Sequence, residues 1–298
     1  MTLEQLRIFL EVARCEHVTR ASGRLNLTQS AVSAAVTALE RRHGVTLFNR
    51  IGRGIELTAE GRTFVSEAEA VLARAGEAER VLEDLVKQPS GALRIGASQT
   101  VASYWLPSYL MSFHETFPRV ALHLTSGNTE TVTQGVSAGT LDLGVVEGDV
   151  DDLGLEVHEV ASDHISLVVW EGHDWSDGHA IDVAELARTS WVMRERGSGT
   201  RVEFERYIGQ LGLDPDKLHV VLELPSNEAC LAAIRSGRAA TVLSRRSVEL
   251  HPGGEFRQAG FSFPPRQFRV LRDPRRYGSR ACQAMLDLLT QQPEEQAP

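Results

Sequence analysis

The chain has 298 residues, 42% of them hydrophobic and 24% charged, which is enough for two or three domains with real cores and excludes disorder by composition. Its net charge is −9, its three cysteines lie far apart with no CxxC, and its longest apolar runs, such as Ile165 to Trp170, are too short to span a bilayer. A disulfide framework, a thiolate zinc site and a membrane location are therefore set aside. Glu4, Arg7 and Glu11 inside the first apolar stretch argue against a signal peptide, so a cytoplasmic protein is expected. The charge is unevenly spread: residues 1–65 hold nine Arg against six Asp and Glu, a net +3, while residues 66–90 carry −3 and residues 91–298 carry −9. A basic front on an acidic body can bind a polyanion while the body limits indiscriminate contact.

Leu3, Leu6, Leu10 and Ala13 recur at helical spacing and predict a first helix. A short second helix starts at Thr19 and contains Ala21 and Leu25; Asn26-Leu27-Thr28 breaks it. Thr28 suits the N-cap of a third helix, with Leu27 and Val32 placed to staple its start. Val32, Val36 and Leu39 make one buried stripe, which leaves Gln29, Ser30, Ser33, Ala34 and Thr37 mostly on the other faces. Gly44 ends that helix after Arg41, Arg42 and His43. Two short helices with a tight turn, the second showing small polar side chains, suit a major groove: Gln and Ser reach base edges, where long charged chains would hold the helix away. From Leu47 to Leu57, apolar residues flank a Gly52-Arg53-Gly54 tip, which reads as a β-hairpin wing with Arg50 and Arg53 facing phosphates or the minor groove. The plainer alternative is a small helical bundle with solvated arginines. The ordered set of helices, cap, staple and basic wing favours DNA, with Thr28, Gln29, Ser30, Ser33, Thr37, Arg50 and Arg53 as candidate contacts.

The run Leu27-Thr28-Gln29-Ser30-Ala31-Val32-Ser33, with Ala38-Leu39-Glu40, Gly44-Val45, Leu47-Phe48-Asn49-Arg50 and Leu57-Thr58-Ala59-Glu60-Gly61, resembles the winged helix-turn-helix of LysR-type transcriptional regulators. The resemblance covers the whole N-terminal module. One departure is Ser22-Gly23 in the second helix, where the family more often has Ala and a helix-favouring residue; Gly costs about 1 kcal/mol of helix propensity relative to Ala.

Thr58 can cap a long helix running to about Lys87. Phe64, Ala68, Val71, Ala75, Ala78, Leu82 and Leu85 form an uninterrupted heptad seam along it. An amphipathic helix packed on its own domain is the plainer reading. The strict period and the small Ala75 and Ala78 favour a partner helix, so a homodimer is expected. Gln88-Pro89-Ser90-Gly91 then ends the helix as a hinge.

From Ala92 strand and helix patterns alternate. Strands are predicted at Leu93–Gly96, Ala121–Thr125, Leu141–Val146, Ile165–Val169, near Trp191, and at Val220–Leu222, Thr241–Leu243 and Gln267–Leu271. Helices are predicted over Val101–Phe117 and Thr129–Ala138, from Thr200 and from Glu228, and over Tyr277–Leu289. This implies mostly parallel sheets flanked by helices, in two similar halves with a cleft between them. Three polar turns fall at strand carboxyl ends or helix starts, where ligands of such sheets bind: Ser98-Gln99-Thr100, Gly127-Asn128-Thr129 and Arg196-Gly197-Ser198-Gly199-Thr200. Hydroxyls and free amides at a helix N-terminus suit a small anion, although Ser, Thr and Asn are also ordinary caps.

Leu93-Arg94-Ile95-Gly96-Ala97-Ser98, Leu141-Asp142-Leu143-Gly144, Gly197-Ser198-Gly199-Thr200 and Asn227-Glu228-Ala229 resemble the effector domain of the same family, itself similar to periplasmic type-2 solute-binding proteins. That match implies effector contacts from Ser98, Gln99, Thr100, Asn128, Thr129, Ser198 and Thr200. Asn128-Thr129-Glu130 and Val146-Glu147-Gly148 look most like members governing sulfur or carbon assimilation, whose effectors are small inorganic anions or phosphorylated and carboxylated metabolites. Glu147 would repel an anion unless paired and stands second among the candidates.

There is no GxSxG elbow, Walker A sequence, GxGxxG after a strand or HExxH, so no enzyme class is supported. His173, Asp174, Asp177 and His179 read as a solvated polar loop before they read as a metal site. The chain is therefore expected to be α/β, with a winged helix-turn-helix at residues 1–58, a dimerising linker helix at 59–88 and a two-subdomain effector domain at 89–298. The resemblance to the family's effector domain implies that subdomain I covers about 92–163 and 268–298, and subdomain II about 164–267. The expected function is sequence-specific, effector-responsive transcriptional regulation. Double-stranded DNA with two-fold related operator sites, a small anionic effector and a second copy, as dimer or dimer of dimers, are the expected partners; RNA polymerase is a further candidate. No cofactor, metal or membrane is expected. The alternative, a solute-binding protein without DNA binding, leaves the helix-turn-helix unexplained.

Overall fold

The computed structural model describes residues 1–51, 54–84, 89–150, 154–235, 237–251 and 253–291. They form two units, one ending with the long linker helix and one built on two β-sheets.

Thr2 opens the first unit. Its hydroxyl accepts the Gln5 amide at 3.2 Å, while its own amide donates to Gln5 Oε1 at 3.0 Å. Helix α1 (Leu3–Cys15) buries Leu6, Ile8, Phe9, Leu10 and Val12, so it faces the core on most of its circumference. Helix α2 (Val18–Leu25) begins one residue before Thr19, because His17 Nδ1 caps it by accepting the Thr19 amide at 3.2 Å. Asn26, at φ 53°, turns the chain out of α2. Thr28 Oγ1 accepts the Ala31 amide at 3.2 Å and starts α3 (Gln29–His43), which Gly44 ends at φ 68°. Val32 and Leu39 are fully buried and Val36 half-buried, as the stripe requires. Leu27, expected to staple onto Val32, is 37% exposed. The wing strands β1 (Phe48–Ile51) and β2 (Gly54–Leu57) pair antiparallel, Phe48 opposite Leu57 and Arg50 opposite Ile55. Gly52 and Arg53 at its tip, and the Arg50 side chain, lie outside the described residues.

Thr58 Oγ1 accepts the Gly61 amide at 2.9 Å and starts α4 (Ala59–Asp84). The heptad seam divides into two parts. Phe64 and the fully buried Ala68 pack with Leu6, Phe9 and Leu39, so the first part closes the core of its own unit. Further along, Val71 is 39% and Leu82 68% exposed, and Ala78 is also exposed. Leu85 and Lys87, and Gln88 of the expected hinge, lie outside the described residues.

The second unit starts with β3 (Gly91–Ser98). The single helix expected next is two, α5 (Gln99–Tyr104) and α6 (Leu106–Thr116), because Pro107 cannot donate to the preceding turn and instead opens α6. After β4 (Val120–Gly127), α7 (Thr129–Ala138) and β5 (Leu143–Glu147) comes β6 (Glu156–Asp163), a strand the sequence pattern hides: its pairing with β12 slips register at Phe268/Arg269, which breaks the two-residue period. The second half repeats the plan with β7 (Ile165–Trp170), α8 (Val183–Leu186), β8 (Ser190–Arg194), α9 (Gly199–Gln210), β9 (His219–Leu224), α10 (Asn227–Ile234), β10 (Ala239–Ser244), α11 (Arg245–Glu249) and β11 (Phe256–Gln258). The chain returns through β12 (Arg266–Arg272) and closes with α12 (Arg280–Gln291).

The strand orders are β4-β3-β5-β12-β6 and β11-β7-β10-β8-β9. Each sheet is parallel except for one reversed strand, β12 in the first and β7 in the second. These are the strands by which the chain crosses between sheets. In the first sheet Ile95, Val145, Phe268 and Val270 pack against Trp105, Phe113 and Met285; in the second, Trp191 sits among Trp175, Leu186 and Phe204, its Nε1 donating to the Leu186 oxygen at 2.8 Å.

Nothing lies within 4 Å of a Cβ built on Gly23 in α2. Gly23→Ala is expected to stabilise the DNA-binding unit by up to about 1 kcal/mol through the unfolded state, read as a higher urea midpoint. A lower midpoint would mean that Gly23 meets a constraint not found in its surroundings.

Candidate DNA-binding module and effector cleft

Thr28, Gln29, Ser30 and Thr37 are exposed on α3, and Ser33 is half-buried. Thr28 and Ser30 share a hydrogen bond of 3.1 Å between their hydroxyls, and Thr19 of α2 donates to Gln29 Oε1 at 3.3 Å. Gln29, Ser33 and Thr37 line one open hollow with His17 and Thr19 of α2 and Gly54 and Ile55 of the wing. The helix face therefore meets the wing across a concave surface, with Arg41, Arg42 and His43 exposed beyond it. His17 and Thr19, at the start of α2, line the same hollow but were not among the contacts nominated from the sequence.

In the second unit the seven cleft candidates fall into two sets. Glu147, the last residue of β5 and 1% exposed, is the centre of the first. Its carboxylate accepts from Ser98 Oγ and, at 3.4 Å, from Thr200 Oγ1; its main-chain oxygen accepts from Thr129 Oγ1 at 3.1 Å. A Cβ on Gly199 would lie 2.5 Å from the Glu147 oxygen and 2.6 Å from Thr129 Oγ1, so only glycine lets the start of α9 approach this closely. Ser198 is buried, and among the described residues its Oγ has no hydrogen-bond partner. Arg266 supports the set from behind: Nη1 donates to Thr200 Oγ1 at 2.9 Å, while Nε and Nη2 bind Asp163 Oδ2 at 2.9 and 2.7 Å. Ser244 Oγ donates to the other Asp163 oxygen at 2.7 Å.

The second set surrounds Asn227, at the start of α10. Asn227 Nδ2 donates to Thr100 Oγ1 and to Ser247 Oγ, both at 3.3 Å, and Gln99 Oε1 accepts the Asn227 amide at 2.8 Å. Arg194, 2% exposed, donates through Nη1 to Gln99 Oε1 and Asn227 Oδ1 and through Nε and Nη2 to Glu195. Asn128 caps α7 by accepting the Thr131 amide at 2.9 Å and reaches Glu195 Oε1 at 3.4 Å. At the rim, Gln99 Nε2 and Tyr104 Oη donate to Glu228 at 2.6 and 2.8 Å. Burial, and then the bond to Glu228, pushes the Tyr104 phenol up to about 12, so it stays a donor. Burial works against the Glu228 charge, yet bonds from its own amide, Tyr104 and Gln99 hold its carboxyl below the usual range.

The hydroxyls nominated from the sequence thus lie among charges that the sequence reading did not name, Arg194, Asp163 and Arg266, and Glu147 has the hydrogen-bonded partners that its second rank required. The missed signal is a charged residue at the end of an apolar strand. In the polar loop, His173 Nδ1 accepts the Trp175 amide and His179 pairs with Asp177, so both histidines have structural partners.

Residues 3–62 match the bacterial regulatory helix-turn-helix proteins of the lysR family, and residues 87–294 match the LysR substrate binding domain. The chain belongs to the LysR family. It is a DNA-binding transcriptional regulator with an effector-binding domain, which sets aside the solute-binding alternative. It is 35% identical over 249 residues to the HTH-type transcriptional regulator YeiE of Escherichia coli, covering 84% of this chain and 82% of that one. It is 33% identical over 250 residues to the RuBisCO operon transcriptional regulator of Allochromatium vinosum, covering 84% and 82%. Among solved structures, full-length CbnR complexed with its target DNA matches in fold with a TM-score of 0.70 at 21% identity, over 98% of this chain and 99% of that one. The Synechocystis CcmR regulatory domain in complex with 2-PG matches with a TM-score of 0.62 at 25% identity, over 68% of this chain and all of that one. Among the described residues, no helix is long and apolar enough to cross a membrane.

Asp163→Ala would leave the Arg266 guanidinium buried without its carboxylate. The loss is expected to be roughly 3–5 kcal/mol in urea unfolding. A change below about 1 kcal/mol would show that Arg266 finds other partners in the variant.

Proposed function

We propose that this LysR-family regulator senses a small anion in the cleft between its two sheets, and that the anion competes with the Glu147 carboxylate for hydroxyls from both halves. One observation carries the reading: Ser98 and Thr200, nominated for an anion by residue type and position, already donate to a carboxylate. α7 and α9 start beside it and direct the positive ends of their dipoles there. The unpartnered Ser198 hydroxyl is a further donor. Inorganic oxyanions and small phosphorylated or carboxylated metabolites fit this donor set, and the similarity to CcmR, solved with 2-PG, agrees with a small ligand at this domain. The ligand acts by its differential affinity for closed and open clefts; coupling of about 1–3 kcal/mol changes DNA affinity about 5- to 150-fold.

On the DNA side, Thr28, Gln29, Ser30, Ser33 and Thr37 read base edges and Arg50 and Arg53 hold phosphates. The protein acts in the cytoplasm without catalysis, with RNA polymerase as a candidate partner. Residues 1–58, 59–88 and 89–298 serve as DNA-binding, dimerising and effector-binding segments. The exposed Val71 and Leu82 support pairing of linker helices in a dimer on two-fold related sites, or in a dimer of dimers.

Calorimetric titration with sulfite, sulfate, thiosulfate, phosphate and small carboxylates tests the cleft. Glu147→Gln removes the competing charge and is expected to tighten binding of the preferred anion about tenfold, or about 1.4 kcal/mol. Thr200→Val, which keeps the shape and loses the donor, is expected to weaken it. Equal affinity in wild type and Glu147→Gln would remove the case for an anion. For assembly, Val71→Asp or Leu82→Asp places a charge in the seam and is expected to halve the mass seen by light scattering; an unchanged mass would mean that subunits pair elsewhere.

A further inference from the structure

Between recognition helix and wing the chain makes a short junction, Gly44 to Phe48, and Glu40 bonds to it at both ends. The main-chain oxygen of Glu40 accepts the amide of Gly44 and, at 3.1 Å, that of Val45. Its side-chain Oε1 accepts the amides of Leu47 at 2.7 Å and Phe48 at 3.2 Å. Phe48 is the first residue of β1, so a carboxylate on α3 fixes where the wing begins. The returning chain closes the other side: the Thr58 amide donates to the Leu47 oxygen at 3.0 Å and Thr58 Oγ1 to the Thr46 oxygen at 2.8 Å. On α4, a Cβ at Gly61 would lie 2.2 Å from the Leu47 oxygen, so the linker helix rests directly on the same segment.

We propose that Glu40 is a positioning residue for DNA binding: its carboxylate sets the distance between recognition helix and wing, so that both engage one duplex at once. Amide bonds to an ionised acceptor are about twice as strong as neutral ones. Phe48 packs on Phe9 and the Ile55 amide donates to the Glu16 oxygen, and the Glu40 carboxylate adds the bonds that fix where β1 leaves α3; any ordering left until DNA binding would oppose each phosphate contact, and the clamp removes that cost in advance. The proposal rests on the reading that the wing meets phosphates, and the experiment separates the two.

Fluorescence anisotropy of the full chain with a labelled mixed-sequence duplex, over a series of salt concentrations, gives the slope of log affinity against log salt. Glu40→Met fills similar space without an acceptor, Glu40→Gln keeps a carbonyl oxygen, and Arg50→Ala removes a wing charge directly. Glu40→Met is expected to reduce the slope by about 0.9 for each phosphate that the wing no longer neutralises, and Glu40→Gln to restore most of it. A purely structural role would lower the melting temperature and leave the slope of the folded protein alone. If Arg50→Ala reduces the slope and Glu40→Met does not, the clamp is overturned. If neither reduces it, the wing reading falls and the clamp with it. A fall with Glu40→Met alone supports the clamp and moves the phosphate contact to another wing residue. Should Glu40→Met fail to fold, hydrogen exchange on the wild type decides: slow exchange at the Leu47 and Phe48 amides supports the clamp, and exchange at the rate of an open loop overturns it.

Discussion

A carboxylate buried between two sheets is the constraint on which the effector domain turns. Glu147 is 1% exposed, and an uncompensated charge in such a place costs several kcal/mol. Its donors come from both halves: Ser98 ends β3 in the first sheet and Thr200 starts α9 beside the second. Donors from both halves thus converge on one carboxylate. On the reading proposed above, an anion entering the cleft would supply the acceptor that Glu147 now supplies, and ligand selection would be a contest between two acceptors for one set of donors.

The crossing strands give that contest mechanical reach. Only His164 separates β6 of the first sheet from β7 of the second. Asp163, at the end of β6, is held by Arg266, the first residue of β12, so the outgoing and returning crossings are joined by one buried ion pair. The same guanidinium donates to Thr200. A change in the partners of Thr200 thus reaches the crossing strands in a single step, through a side chain that has no water to compensate for a broken bond.

In the DNA-binding unit, Phe9 has the corresponding place. Its ring lies 5.4 Å from Phe48 of the wing and 5.0 Å from Phe64 of the linker helix. This explains why the first part of the heptad is spent inside the unit while Val71 and Leu82 remain uncovered. The heptad period reports only that one stripe of the helix is apolar. It cannot report that the stripe is covered by its own unit at one end and left exposed further along, because both stretches carry the same kind of side chain.

The sequence alone determined what depends on neighbours in the chain. Thr28 and Gly44 bound the recognition helix by capping chemistry, Gly54 and the apolar residues around it mark the wing, and the alternation after Ala92 marks two α/β halves. The hydroxyls of Ser98, Thr129 and Thr200 were readable because strand ends and helix starts are local features. Only the tertiary structure decided that Leu27 stays exposed, that β6 joins the first sheet through a slipped register, and that β7 and β12 run against their neighbours. It also decided that Arg266 meets Asp163 and, through Thr200, reaches Glu147, although the three charges lie on separate strands. Pairings of that kind arise from burial: a charge that would be solvated on its own strand must find its partner once the sheets exclude water, and no spacing along the chain records which partner that is.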